Sequence, residues 1–419
     1  MERGSYRATA GASPGVIPQS LRSLLGSKEA RESLFSLIFA TFGNLLTGTI
    51  LGISTSQLEL LPALIVLIPP AIGMRGSVFA SLGSRLGTYL HTGQLKPDFT
   101  GSRLLRQNAG SSFILTILMS IYLGLLATMV AGFLGLQVTL LDMVLIALLA
   151  GVLSAGCMLL FTIFIAFYSY RRGLDPDNVT TPFITLAGDI VTLPLLFFAL
   201  WAVLHMDGTA KFILAAAFAV LAVAAVIIPF TRLSKPYCRR ILLESVPILL
   251  AAGLLGTISG SVLGGSYEGL IGVGGILIMI PAFLEDGGAI GGILAAKFSS
   301  ALHLGSLEYT RFPPARAQKL FAIMHAIGLP VFALLGVMAF FISGIIGSTS
   351  PSLLVMMGAA ILAGEILILA VNFIAYYASM VAFRLGFDPD NVTIPIITAL
   401  MDSLGTSTLI GVLLLLGAL

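Results

Sequence analysis

Two aspartates follow the same six-residue motif in the two halves of the chain. Residues 175–180 and 388–393 both read Asp-Pro-Asp-Asn-Val-Thr, and Asp189 and Asp402 lie in the apolar stretches that come next. A charged side chain at the centre of a membrane-spanning helix costs about 2.5–3.5 kcal/mol on insertion scales. An acid retained there in both halves indicates a functional site, and the alternative is a buried aspartate that caps a broken helix.

Threonines share a helical face with each aspartate. A helix that begins just after the first motif, at Pro182, carries Thr181, Thr185 and Asp189 in steps of four and places Asp189 about 10 Å below its start. This polar stripe suits the lining of a narrow aqueous path, unless the hydroxyls only bond to the carbonyl one turn earlier. The second half has the corresponding residues Pro395, Thr398, Asp402 and Thr406.

A hard divalent cation could lie between the two aspartates. Two carboxylates about 8 Å apart repel by about 2 kcal/mol at an effective dielectric constant of 20. A cation such as Mg²⁺ relieves this repulsion and can keep its waters. We therefore expect protons and cations to compete for Asp189 and Asp402 near neutral or mildly acid pH.

The composition is that of a polytopic membrane protein. Of 419 residues, 57% are apolar and 10% are charged, against roughly 25% charged in soluble domains. The net charge of +3 excludes a nucleic-acid partner, and the lipid bilayer is the expected surrounding. The two cysteines have no metal-ligand spacing.

Hydropathy predicts an all-α fold with about eleven spans. We expect a cytoplasmic tail over 1–34, five spans over 35–204, one linker span with a basic loop over 205–243, and five more spans over 244–419. The exposed Lys and Arg residues fall almost entirely on one side of these spans. The positive-inside rule therefore predicts a multi-pass protein of the cell membrane with its N-terminus in the cytoplasm and its C-terminus outside.

The two five-span segments are copies of one another. An offset of 212 residues aligns Gly48 with Gly260 and Pro69 with Pro281, and after one inserted residue an offset of 213 aligns the two motifs and their aspartates. The unpaired linker span restores the orientation of the second copy. The copies are therefore expected to be parallel, related by a pseudo-twofold axis along the membrane normal, with a shared path at that axis.

The chain resembles the MgtE and SLC41 group of magnesium transport proteins. The resemblance rests on Asp-Pro-Asp-Asn-Val-Thr-x-Pro with Thr185 and Asp189, on its repeat with Thr398 and Asp402, and on the second spans from Pro69 and Pro281. It implies a fused pair of five-span units, as in SLC41-like members. It also implies a central pore lined by the second and fifth spans, with Mg²⁺ as the transported ion held by Asp189 and Asp402, near backbone oxygens of Thr185 and Thr398.

The sequence departs from the family pattern in two ways. The long cytoplasmic region with CBS domains found in bacterial members is absent, so closure by that sensor is not implied. In the second spans, the aligned segments 73–76 and 284–288 offer Arg75 in one half and Glu285 with Asp286 in the other. These opposite charges could pair to gate the path, complete an asymmetric site, or form a structural ion pair away from the path.

Other interpretations stay open at this stage. An intramembrane aspartyl protease needs motifs that Leu-Ala-Gly-Asp and Ala-Leu-Met-Asp do not match, and a non-transporting scaffold would make the paired stripes coincidental. Within transport, a passive channel and a carrier that exchanges Mg²⁺ for Na⁺ or H⁺ share the same motifs. Glu365 breaks the repeat symmetry, either as a second ion ligand or as a partnered carboxylate between helices.

Overall fold

The described structure is entirely helical. The computed structural model describes residues 28–98, 102–172, 176–230, 236–303, 305, 307, 310–385 and 389–419. The first part of the chain has α1 (Lys28–Ile53), α2 (Thr55–Leu60), α3 (Leu64–His91), α4 (Arg103–Phe133), α5 (Leu140–Arg171), α6 (Pro176–His205) and α7 (Gly208–Ile227), which is followed by a 3₁₀ turn, Ile228–Phe230. The second part has α8 (Pro236–Gly265), α9 (Tyr267–Gly272), α10 (Gly274–His303), α11 (Ala315–Ile346), α12 (Leu353–Arg384) and α13 (Pro389–Leu415).

These helices confirm the predicted class, an all-α polytopic membrane protein. Ten of them are long and apolar enough to cross a bilayer. The first predicted span, 35–53, corresponds to α1, whose apolar part Leu37–Ile53 is at the short end of the spanning range. Residues 28–34 of the predicted tail belong to α1, and residues 1–27 lie outside the described part. The predicted domain boundaries stay a prediction.

Matching glycines end matching helices. Gly135 after α4 and Gly347 after α11 have φ of +74° and +71°, and Gly93 after α3 and Gly305 after α10 have +70° and +62°. This left-handed conformation is the usual glycine stop of a helix. Each pair is separated by 212 residues, so the repeat visible in the sequence is also present in the backbone.

The first helix of each repeat packs on the other repeat. Helix α1 lies against α10 and α11, and α8 lies against α3 and α4. A Cβ on Gly48 would come 1.8 Å from the carbonyl oxygen of Ile278, and one on Gly260 would come 2.1 Å from that of Val66. With Gly52 and Gly264 one turn further on, both crossings have the Gly-x-x-x-Gly spacing that lets membrane helices approach closely.

The linker helix α7 lies at the periphery of the bundle, against α4 and α5. Its Lys211 forms an ion pair of 2.6 Å with Asp142 at the start of α5. Most of its large apolar side chains are exposed, including Phe212 at 74%. Lipid can surround a helix whose apolar side chains are exposed. This position fits a span that only reverses the direction of the chain between the repeats.

The crossings predict a stability test. Gly48→Ala and Gly260→Ala each force a methyl group into backbone that cannot rotate away, so each should lower stability by about 1–3 kcal/mol and reduce the thermal midpoint in detergent. Gly156→Ala is the matched control, because a Cβ there meets nothing within 4 Å. Crossing variants as stable as Gly156→Ala would contradict the close approach.

Candidate functional site

The fifth helix of each repeat begins earlier than predicted. Helices α6 and α13 begin at Pro176 and Pro389, inside the repeated motif, rather than at Pro182 and Pro395. Proline is accepted at the first helical position because its missing N–H would have no partner there. The predicted depth of Asp189 was therefore wrong: it lies about 20 Å, not 10 Å, below the start of its helix.

Glycines on the second helices bring the fifth helices close. A Cβ on Gly76 of α3 would lie 3.3 Å from the methyl carbon of Thr185, and one on Gly288 of α10 would lie 3.8 Å from that of Thr398. A Cβ on Gly73 would lie 3.6 Å from the carboxylate of Asp402. The last contact joins the second helix of one repeat to the fifth helix of the other. The two repeats thus meet at the aspartate.

Three carboxylates interact in the interior. Asp189 on α6 lies within electrostatic range of both Glu285 on α10 and Asp402 on α13, and Asp402 is also within range of Glu285. Asp189 is only 6% exposed. Glu285 and Asp402 are deep in the bundle, yet each keeps some accessible surface. Like charges held this close repel one another unless a cation or protons intervene.

The carboxylates are not arranged symmetrically. The counterpart of Glu285 in the first repeat is Gly73, so only the second repeat contributes an acid at this position. Asp286 is fully buried and accepts hydrogen bonds of 3.0 and 2.9 Å from Thr41 on α1. The corresponding pair in the other half is apolar, because a Cβ on Gly253 of α8 would lie 3.1 Å from the methyl carbon of Met74.

Arg75 does not pair with Glu285 or Asp286 among the described residues. Its Nε donates to Ser154 Oγ at 3.0 Å and its Nη2 to Ser120 Oγ at 2.9 Å, within α3, α4 and α5 of the first repeat. The residue is 2% exposed and Nη1 has no partner among those residues. The ion-pair hypothesis fails for a geometric reason. Arg75 corresponds to Gly287, so it points about 200° around the helix from the face on which Glu285 lies.

The threonines of the predicted stripes differ in their surroundings. Thr185 is half-buried and Thr398 is exposed, each beside a second-helix glycine. Thr406 is 1% exposed, donates to the carbonyl of Asp402 at 2.7 Å and bonds to Ser259 of α8. Thr406 therefore lies in a helix contact. The side chain of Thr181 lies outside the described part.

A polar stripe on α3 escaped the sequence reasoning. Its members are exposed hydroxyl residues that continue the face of Gly73 toward the end of α3 at His91, and two of them bond back to the carbonyl one turn earlier. The signal was present as small hydroxyl residues spaced by three and four on an otherwise apolar helix. The members are Ser77, Ser81, Ser84 and Thr88.

The carboxylates do not form a direct ligand cage. In the described part of the chain, no three His, Cys, Asp or Glu side chains are grouped closely enough to ligate one ion. Mg²⁺ dehydrates reluctantly and is commonly held through one or two carboxylates with several of its waters retained. Carboxylates spaced in this way are compatible with a hydrated divalent cation.

Comparisons with known proteins agree with this geometry. A family model described as MgtE, divalent cation transporter, matches residues 68–199 and 280–412. Solute carrier family 41 member 2 of Xenopus laevis is 24% identical over 414 residues, which cover 91% of this chain and 70% of that protein. Solute carrier family 41 member 3 of Rattus norvegicus is 25% identical over 367 residues, which cover 83% and 78%. No solved structure matches the chain.

The two family matches contain the second and fifth helices of both repeats, with all three interacting carboxylates. Together they cover more than half of the chain. The chain therefore belongs to the MgtE family of divalent cation transporters, as a multi-pass membrane protein.

Proposed function

We propose that this protein carries Mg²⁺ across the cell membrane through a path between its two repeats. The observation that supports this most is the group of Asp189, Glu285 and Asp402, which come from both repeats and interact with one another in the interior. No cation among the described side chains bonds to them. A divalent cation from solution is the partner that offsets such a charge.

The site binds the ion with part of its hydration shell. Asp189 and Asp402 accept hydrogen bonds from the waters of the ion, and Glu285 adds a third negative charge on one side. Gly73 leaves room beside Asp402 for a hydrated ion, since even a Cβ there would lie 3.6 Å from the carboxylate. Thr185 and Thr398, near the glycines Gly76 and Gly288, offer oxygens one turn from the aspartates.

The polar stripe on α3 continues the path toward the cytoplasm; its members are Ser77, Ser81, Ser84 and Thr88. Hydroxyl groups lower the cost of passing water and ions through an apolar bundle without binding them tightly. The orientation follows the distribution of Lys and Arg, with the N-terminus inside and the C-terminus outside. The ends of α3 and α10 at His91 and His303 then lie on the cytoplasmic side; the side chains of both histidines lie outside the described part.

The central prediction concerns the two aspartates. Asp189→Asn with Asp402→Asn removes two of the three carboxylates while preserving side-chain size, so Mg²⁺ uptake into proteoliposomes should fall at least about tenfold, equivalent to losing about 1.4 kcal/mol of cation binding. Asp207→Asn is the matched control, because this exposed residue only caps α7 by accepting from Ala210 N–H at 2.7 Å. Uptake equal to that of the control would refute the site.

The same liposomes separate a channel from an exchanger. A channel responds to the membrane potential alone, whereas an exchanger requires an opposing Na⁺ or H⁺ gradient. Uptake is therefore measured with each gradient imposed and then collapsed at constant potential.

A second prediction concerns the path along α3. Both native cysteines are first removed by Cys157→Ala and Cys238→Ala. New cysteines in the stripe should then react with a charged, membrane-impermeant thiol reagent, because only water-exposed thiols form the reactive thiolate. The substitutions are Ser77→Cys, Ser81→Cys, Ser84→Cys and Thr88→Cys. Two controls define the alternatives: Val78→Cys is buried on the same helix and Leu362→Cys, 47% exposed on α12, faces lipid. A stripe as unreactive as Leu362→Cys would show that it faces lipid.

A further inference from the structure

A second group of ionisable side chains lies in the second repeat. Nδ1 of His325 on α11 lies 2.5 Å from Oε2 of Glu365 on α12, and Asn372 Nδ2 lies 3.2 Å from His325 Nε2. Glu365 is therefore a partnered carboxylate between helices, one of the two alternatives that its sequence position left open. The pair is partly exposed, with 34% and 27% of the two side chains accessible, while Asn372 is 1% exposed.

Two oxygens in this group lack a partner. Glu365 Oε1 and Asn372 Oδ1 are both buried and accept no hydrogen bond from the described residues. Leaving a buried acceptor unsatisfied costs about 1–3 kcal/mol. All hydrogen bonds of His325, Glu365 and Asn372 to described residues are those within the group. What the group lacks is a donor, and it has two free acceptors.

One added proton supplies that donor. As arranged, the Asn372 amide group donates to Nε2, which requires a neutral imidazole that carries its hydrogen on Nδ1 and leaves Glu365 as a net negative charge. If the amide turns over, which exchanges two atoms of nearly equal shape, Oδ1 faces Nε2 and accepts a hydrogen bond from it. That arrangement requires the imidazolium form of His325. It gives Oδ1 a partner in exchange for the contact of Nδ2, and its gain is that the pair with Glu365 becomes electrically neutral.

We propose that His325, Glu365 and Asn372 form a proton-binding site in the second repeat. A proton from water binds Nε2 of His325, the Asn372 amide turns to accept it, and Glu365 balances the charge. Histidine is suited to this, since its ordinary titration lies near pH 6.5. Release of the proton returns the amide to its donating orientation.

Other charged groups lie elsewhere on the helices that pack against this site. On α11, Arg316 and Lys319 are six or more residues away, and on α12, Arg384 is at the far end. On α10, Glu285 interacts with Asp189 and Asp402 while Asp286 bonds to Thr41. Asp402 on α13 lies beside Gly73, and residues 34–53 of α1 carry no charge. The remaining ionisable groups of these helices are Lys28, Glu29, Arg31 and Glu32 of α1, Lys297 and His303 of α10, Tyr376 and Tyr377 of α12, and Asp390 of α13.

The site belongs to the second repeat, and a residue next to it packs close to the central carboxylates. Its counterparts in the first repeat are apolar: Phe113, Val152 and Leu159. Leu367, two residues after Glu365, packs against two glycines near the central carboxylates. A Cβ on Gly287, next to Asp286, would lie 2.6 Å from a methyl carbon of Leu367, and one on Gly405, about one turn from Asp402, would lie 3.4 Å from it. A change in how α11 and α12 are held is thus transmitted to α10 and α13 by direct contact.

Nitrogen-15 NMR of histidine-labelled protein in nanodiscs tests the proposal without any ion flux. The chain has four histidines, so His325→Gln assigns the signal by its loss. We expect the signals of both ring nitrogens of His325 to change as the pH is varied from 5 to 9. Glu365→Gln should move that change to lower pH, because it removes the neighbouring negative charge. Asn372→Leu should move it in the same direction by removing the acceptor.

His205→Gln is the matched control and should leave the His325 titration unchanged. Ring signals that stay constant from pH 5 to 9 would show a permanent ion pair and overturn the proposal. So would a titration that neither Glu365→Gln nor Asn372→Leu displaces. Either result leaves the assignment of Asp189 and Asp402 untouched, because that assignment is tested by uptake.

Discussion

The mutual repulsion of buried carboxylates is the constraint on which the rest of this structure depends. Asp189, Glu285 and Asp402 come from three helices and both repeats, and each would be costly alone in a bilayer. Holding them together requires the helices to approach closely and stay fixed. Glycines at the second helices provide the approach, and the crossing of α1 and α8 onto the opposite repeats ties the halves together around the carboxylates.

Fusion of the two repeats allows the site to be asymmetric. Two identical subunits would present the same residues twice. Here the first repeat has Gly73, Met74 and Arg75 where the second has Glu285, Asp286 and Gly287. The acidic side supplies charge beside Asp189 while Gly73 leaves space beside Asp402. The proposed site would thus combine the charge of Glu285 with the small side chain of Gly73, a combination that two identical subunits cannot provide at one position.

The balancing of buried charge differs between the repeats as well. Arg75 is held by the hydroxyls of Ser120 and Ser154 in the first repeat, whereas Asp286 is held by Thr41 from a helix of the first repeat packed against the second. Among the described residues, the guanidinium of Arg75 and the carboxylate of Asp286 form no ion pair with each other. The guanidinium of Arg75 is thus engaged by hydroxyl groups of its own repeat rather than by the central carboxylates.

Sequence reasoning predicted the helices and the duplication because these depend on hydropathy and on exact recurrence; the role that it gave to Asp189 and Asp402 stays a prediction. It misjudged the start of α6 because Pro176 is as compatible with a first helical turn as with a turn before it. It misplaced Arg75 because a two-residue shift in alignment rotates a side chain by about 200° around the helix. The partner of Glu365 was not predictable, since His325 lies forty residues away in sequence and only packing of α11 on α12 brings them together.

Binding of Mn²⁺ followed by electron paramagnetic resonance tests the central claim most directly, because Mn²⁺ shares the octahedral oxygen coordination of Mg²⁺ and its bound waters can be counted. The account predicts one bound ion that retains most of its six waters, with affinity at least about tenfold weaker after Asp189→Asn with Asp402→Asn. Binding of equal affinity in that double variant, or an ion stripped of its waters, would contradict it.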